Sequence, residues 1–525
     1  MLAPFTLLLG MIADTPWYAP AYTEPMESIL LLATDETSAL PERFEYPNTP
    51  TAVQAELAKA LHTHVHVRIL VDPGSQQRKR FEAALVRAGM VLPMANVSFL
   101  NVSHCDIWAR DTGPIWLRRK GGGGRLMIEP RFTLWGYLVG GHVQGPWASC
   151  DVPNRVPDQL SNLLGIQVEK AADFVTEGGD KSFNGRGTVL MSRAVERQRH
   201  PGLSDAEIEA LARRYLRVHH IVWTDEGVAD DEQSFRGALV GEGGKRVYTA
   251  IGTGGHVDEC ARFVGPSTVV VPELTAEQAS RSPLARATSQ RLEANAMALA
   301  SQTDEEGRNL TVERMPYPEE LYLQVNRSDG VFSLLSQLPE LGLAPDSNRS
   351  IDIILAASYT NYVIANGLVV IPQYFKPGRD KRFADADARA VAAIKRLLPG
   401  HKVVGVNPEP VNAGGGGLNV RGSWRAGVPQ CSPPQTRLHS SPLPCRLSSF
   451  PVAVHFEQYA GPLGARAPRR TCLYILCALY LSPSLCVAQA LEFAAESTCT
   501  NAICTCTYNS PGKTSHRRQG RRSLA

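Results

Sequence analysis

Cysteine is scarce where a disulfide framework would need it. Of 11 cysteines in 525 residues, only Cys105, Cys150 and Cys260 precede residue 420. That body reads as a protein of a reducing compartment, without a disulfide scaffold. The apolar opening Met1 to Gly10 lacks a basic region and a cleavage site, so a signal peptide is not expected and the cytoplasm is the expected location. Net charge is nearly absent, with 54 basic against 51 acidic side chains. The balance is uneven, because the first 420 residues hold 42 basic and 48 acidic groups. A mildly acidic body argues against a nucleic-acid partner and suits a small cationic one. The tetraglycine Gly121 to Gly124 lacks the Lys-Ser/Thr of a phosphate loop and reads as a hairpin or surface loop.

What is present is a globular chain, 43% hydrophobic, long enough for one large domain or for two to three ordinary ones. After an irregular N-terminal stretch, Val65 to Val71 alternates as a strand should. Ser75 to Ala88 follows as a helix with Phe81, Ala84, Leu85 and Ala88 on one face. Val97 to Val102 is the next strand, and it runs into the polar, turn-forming segment His104 to Pro114. The aromatics Phe132, Trp135 and Tyr137 could line a pocket or fill a core, and the core is the expectation. Ser204 and Glu207 form a capping box, residues 275 to 300 read as a helix, and Asn366-Gly367 is a hairpin turn. Asp385 is expected to cap a helix reaching Leu398. Strand, helix, strand recurs with site-like loops at the same point of each cycle, which indicates an α/β fold built from related modules.

The densest chemistry lies in Thr253-Gly-Gly-His256-Val-Asp258-Glu-Cys260. On an extended segment His256, Asp258 and Cys260 would share a face, with glycines before them to admit a close neighbour. Three readings stand: an ordinary satisfied His–Asp pair, a metal site, or acid/base chemistry by an imidazole that titrates near neutrality beside a carboxylate. No second His/Cys cluster at ligand spacing accompanies the metal reading.

Trp108-Ala-Arg-Asp111-Thr-Gly-Pro114, Glu177-Gly-Gly179, Gly255-His256-Val-Asp258, Ala357-Ser-Tyr-Thr-Asn361 with Ile364-Ala-Asn-Gly367, and Gly414-Gly-Gly-Gly-Leu-Asn419 follow one another in that order. In this the chain resembles the agmatine deiminase family, which also includes the bacterial-type peptidylarginine deiminases, from about residue 20 to residue 419. The resemblance implies a five-bladed α/β propeller, the pentein fold, with pseudo-fivefold repeated modules and the site at their centre. It implies hydrolysis of a guanidinium to a ureido group with release of ammonia, without metal or organic cofactor. It places Trp108, Asp111 and Asp258 on the substrate, Glu177 as the acid of the Glu-Gly-Gly motif and His256 as general acid/base. A planar guanidinium presents donors in a fixed fork, which two carboxylates can grip. The expected substrate is agmatine, with free or peptidyl arginine as the alternative and a non-catalytic guanidinium binder as the rival; a homo-oligomer is left open.

The family's nucleophilic cysteine follows its glycine-rich turn, which here would be residue 420, and this chain has Val420. As written, then, the chain is expected to bind substrate and fail to turn it over, unless Cys260 or Cys105 serves. Composition changes at the same residue, so 1–20 is expected to be an extension, 21–419 the deiminase domain without its final segment, and 420–525 a foreign or disordered tail such as a translated intron. Pro483, Gln489 and Glu492 interrupt the apolar run Leu473 to Phe493, which argues against a membrane anchor. Cys499, Cys504 and Cys506 lack a matching second pair for a metal.

Overall fold

One three-stranded unit recurs through the chain: two antiparallel strands, then a helical crossover to a third strand parallel to the second. The computed structural model describes residues 15–34, 49–104, 106–143, 156–418 and 421–424. Ile115–Arg119 and Arg125–Arg131 form the first such hairpin, and Val168–Val175 returns parallel to its second strand after the helix Val156–Leu164. Ser182–Phe183, Thr188–Ser192 and His220–Thr224 repeat the pattern, as do Arg262–Phe263, Thr268–Glu273 and Thr311–Pro316. Val363–Ala365, Leu368–Pro372 and Lys402–Val406 repeat it again.

A fifth unit is assembled from both ends of the described chain. Met26–Leu32 pairs in parallel with His66–Val71 across the helix Pro50–Leu61, and its antiparallel partner is Arg421–Trp424, with Leu30 opposite Arg421 and Ile29 opposite Gly422. That last strand lies beyond the boundary expected at residue 419. Val97–Asn101 extends this sheet, and a separate four-stranded sheet joins Leu239–Val240, Arg246–Thr249, Ile351–Ile354 and Tyr322–Val325. The arrangement is α/β throughout.

The central strands are continuous apolar runs, as expected where both faces are covered. Val269, Val270 and Val271 are fully buried, and so are Leu368 to Ile371. The same property hid Met26–Leu32 in a stretch that looked irregular, because Ile29-Leu-Leu-Leu32 has no alternation to announce a strand. The helix expected over 275–300 is two helices, Ala276–Ser280 and Pro283–Ala300. Ser282 breaks the run by accepting from the Ala285 N–H, with Pro283 at the first helical position. The next helix, Lys381–Leu397, is capped by Asp380, which accepts from Arg382 N, and not by Asp385. Asp385 lies one turn inside, where it meets the Lys381 ammonium at 2.9 Å.

The capping box at Ser204 and Glu207 is present, and Phe81, Ala84, Leu85 and Ala88 are buried as their spacing indicates. The hairpin at Asn366-Gly367 is also present, with positive φ of 44° and 85° at its two turn residues. Among the described residues no helix is long and apolar enough to cross a membrane; the run 473–493 lies outside them.

Asn366 does more than turn the chain. Its Oδ1 accepts from Met26 N at 2.8 Å, and its Nδ2 donates to the carbonyls of Met26 at 2.9 Å and His64 at 2.8 Å. This amide stitches the fourth unit to the fifth. Asn366→Ala removes three hydrogen bonds and puts a Cβ-bearing residue with no local hydrogen bond in a left-handed conformation. It is expected to lower stability by about 2 kcal/mol in chemical denaturation, with Asn366→Gly recovering the backbone part of that loss.

Candidate active site

The loops that follow several strands converge on one cavity of about 440 Å³, lined among others by Trp108, Asp111, Trp135, His256, Asp258, Glu259, Asn361 and Gly414 to Gly417. Asp111 belongs to a helical turn, Ala109–Thr112, that follows Val97–Asn101. Its Oδ1 accepts from Gly179 N at 2.8 Å and its Oδ2 from Trp135 Nε1 at 3.0 Å. The carboxylate is thereby fixed in orientation, with lone pairs left for a ligand. Trp135 fulfils the core expectation by its burial and also supplies a cavity wall, the alternative weighed for it.

Gly179 explains the paired glycines after Glu177. A Cβ there would stand 2.4 Å from His256 Nδ1 and 2.9 Å from Asp111 Oδ1, so only glycine lets backbone pass between imidazole and carboxylate. Its carbonyl accepts from Asp258 N at 3.2 Å. The glycine-rich turn behaves similarly. A Cβ on Gly416 would meet the Trp108 ring at 2.6 Å, and one on Gly417 would meet Asn361 Oδ1 at 2.6 Å. Asn412 ties this turn down by donating to the Ala356 and Gly416 carbonyls.

The segment around His256 is not extended. His256 precedes a helical turn, Val257–Cys260. Asp258 stays at the cavity, whereas Cys260 turns into an apolar cluster with Leu190, Val222, Val269 and Leu292. The three side chains therefore do not share a face, which removes the metal set and the substitute nucleophile read from extended geometry. Burial pushes the Cys260 thiol well above its ordinary range, and the nearby carboxylates push it further. Among the described residues no group of three His, Cys, Asp or Glu side chains is arranged to hold a metal ion. Cys105, Asn419, Val420 and the cysteines of the tail lie outside the described residues.

Glu177 is fully buried behind His256 and does not line the cavity. His256 Nε2 donates to Glu177 Oε2 over a long 3.4 Å. Arg199 donates from Nε to both Glu177 oxygens at 3.0 Å and from Nη2 to the Thr253 carbonyl at 2.9 Å. Burial would raise the Glu177 carboxyl, but Arg199 and His256 outweigh it and hold the group at about 2. Burial would likewise lower His256, but Asp111, Glu177 and Asp258 outweigh it and raise the imidazole to about 9. The site at neutral pH is an imidazolium set among carboxylates, arranged to donate a proton.

The loop carrying His256 is hung on Asp231, whose carboxylate accepts from the backbone N–H groups of Thr253 at 2.7 Å, Gly255 at 3.2 Å and His256 at 3.1 Å, and from the Thr253 hydroxyl. Neither Arg199 nor Asp231 was legible in the sequence. Arg199 is one of three arginines in the helix Arg193–Arg199, and Asp231 is half of an ordinary Asp-Asp pair.

The sequence matches the family described as Porphyromonas-type peptidyl-arginine deiminase over residues 19–237 and 240–420. It is 29% identical over 408 residues to the agmatine deiminase of Pseudomonas aeruginosa (strain LESB58), covering 76% of this chain and 93% of the relative. It is 28% identical over 409 residues to the agmatine deiminase of Pseudomonas putida (strain F1), covering 77% and 94%. The structure of the agmatine deiminase of Enterococcus faecalis superposes with a TM-score of 0.59 at 24% identity, covering 79% of this chain and 97% of that one, a likeness of fold.

The charge state of His256 can be read directly by NMR titration of its imidazole. It is expected to remain protonated through neutral pH with a midpoint near 9, and Glu177→Gln is expected to move that midpoint down, since an anion is lost. The raised value also makes His256 a source of stability that is whole below about pH 6.5 and is lost as pH climbs through about 9.

Proposed function

The chain belongs to the Porphyromonas-type peptidyl-arginine deiminase family, and we propose that its cavity is that of an agmatine deiminase, a hydrolase of C–N bonds that converts agmatine and water to N-carbamoylputrescine and ammonia. The observation that carries this reading is the single cavity in which Asp111 and Asp258 stand beside a charged His256. The five recurring units support a pentein arrangement with the blades closed into a five-bladed propeller around that cavity.

In this reading Asp111 and Asp258 grip the guanidinium, Trp108 walls its plane, and Glu177 holds the His256 proton in place from behind. A thiolate at the end of the glycine-rich turn would attack the guanidinium carbon, and His256 would give its proton to the departing ammonia. The neutral imidazole would then take a proton from water as that water attacks the thiouronium carbon. Collapse of the second adduct returns the thiolate and leaves the ureido product. Several carboxylates around one small space favour a cation and select against an anionic substrate tail.

Val420 supports a second reading alongside the first, because it stands where that thiolate is needed. The chain with Val420 holds the binding and proton-transfer parts and lacks the nucleophile, which makes it a guanidinium binder until a cysteine occupies the position. Residues 21–419 with the strand Arg421–Trp424 would then form the deiminase domain, and the tail beyond that strand would be an addition foreign to it.

Calorimetric titration separates these claims from a chance resemblance. Agmatine is expected to bind the chain, arginine to bind more weakly, and Asp111→Asn and Asp258→Asn each to weaken agmatine by about tenfold or more. Equal affinities for the chain and both variants would refute the assignment of the two carboxylates.

A further inference from the structure

Glu259 faces the same cavity and has no part in the steps above. It is the third residue of the helical turn after His256 and is buried. The titratable groups around it are mostly of its own sign: Asp258 and Cys260 on its own turn, with Asp230 and Asp231 on the neighbouring one. Tyr317 and Tyr374 approach from two further segments, and both phenols are raised in part by Glu259. Of the buried cations, Arg199 and His256 pair with Glu177 and Lys181 with Glu196 and Asp180, while Arg110, on the wall of the same cavity, donates to the Lys181 carbonyl and Arg262 to the Thr360 and Tyr362 carbonyls.

What Glu259 receives is neutral. Asn361 Nδ2 donates to its Oε1 at 2.9 Å, and the Ser358 hydroxyl donates to its main-chain carbonyl at 3.0 Å. A buried carboxyl among carboxylates, with an amide as its side-chain donor, holds its proton. Burial pushes it well above the ordinary range, and Asp258 adds to this. The cavity therefore contains an acid that stays uncharged until a positive charge arrives beside it.

We propose that Glu259 is a specificity-determining residue that accepts the second cationic end of a dicationic substrate and releases its proton to solvent as that cation enters. The inference rests on the agmatine reading, since agmatine carries a primary ammonium as well as its guanidinium. Asp111 and Asp258 serve one end. The ammonium then meets Glu259, already oriented by Asn361, and the ion pair replaces the O–H bond. The α-carboxylate of arginine, beside its α-ammonium, would oppose the ionisation of Glu259 on which that ion pair depends, so the residue separates agmatine from arginine.

Calorimetry of the full chain near neutral pH, in phosphate and in Tris buffer, counts the protons that leave on binding. Agmatine is expected to release about one proton per molecule bound, and Glu259→Gln, which keeps an acceptor for Asn361, to release about none while binding about tenfold more weakly. Butylguanidine, which lacks the ammonium, is expected to release none. Agmatine binding without proton release, or with equal release from the glutamine variant, would overturn the proposal. If that variant does not fold, equal release by agmatine and butylguanidine in the unaltered chain would overturn it. Agmatine that does not bind the unaltered chain at all refutes the agmatine reading, and this inference with it.

Discussion

The fork from Arg199 to Glu177 and to the Thr253 carbonyl is the contact on which the rest of the site depends. It is fully buried, and it joins the Glu-Gly-Gly turn to the loop that carries His256. Its neighbour Gln198 donates to the Gly136 carbonyl, beside the Trp135 that orients Asp111. One helix end thus ties together three loops. A buried carboxylate without such a cation would take up a proton, and the imidazole would lose its nearest anion.

The same electrostatics account for the shape of the ligand. Asp111, Asp258 and Glu259 line a small cavity together with the imidazolium of His256 and the guanidinium of Arg110. Negative charge at this density is tolerable because backbone N–H groups, indole and amide hold the oxygens, and because burial and the neighbouring carboxylates push Glu259 toward its neutral form. A cation entering the cavity relieves repulsion already built in. The glycine-rich turn contributes no charge, but its lack of side chains lets backbone approach Trp108 and Asn361 closely.

Much of this was legible in the sequence and some was not, for physical reasons. Trp108, Asp111, His256, Asp258 and the glycine-rich turn announce themselves because each needs a particular residue type at a fixed local spacing, and the structure does gather them around one cavity. The turn at Asn366-Gly367 and the capping box at Ser204 are equally local. His256 to Cys260 was misread as extended because period-two spacing of polar residues also fits a single helical turn. Asp231 and Arg199 were invisible because their partners lie 22 residues away or more, as for Asp231 with Thr253 and His256, and nothing local distinguishes them from other acids or arginines. The strand Arg421–Trp424 was missed for the same reason, since its partner is almost the whole domain away.

What remains central is position 420, where the family resemblance expects a cysteine and this chain has Val420. Ammonia and ureido product formed from agmatine should be measured for the chain with Val420 and for Val420→Cys side by side. No turnover with valine and turnover with cysteine is the result that this account predicts. Equal turnover by both proteins, or none from a cysteine variant that binds agmatine, would contradict it.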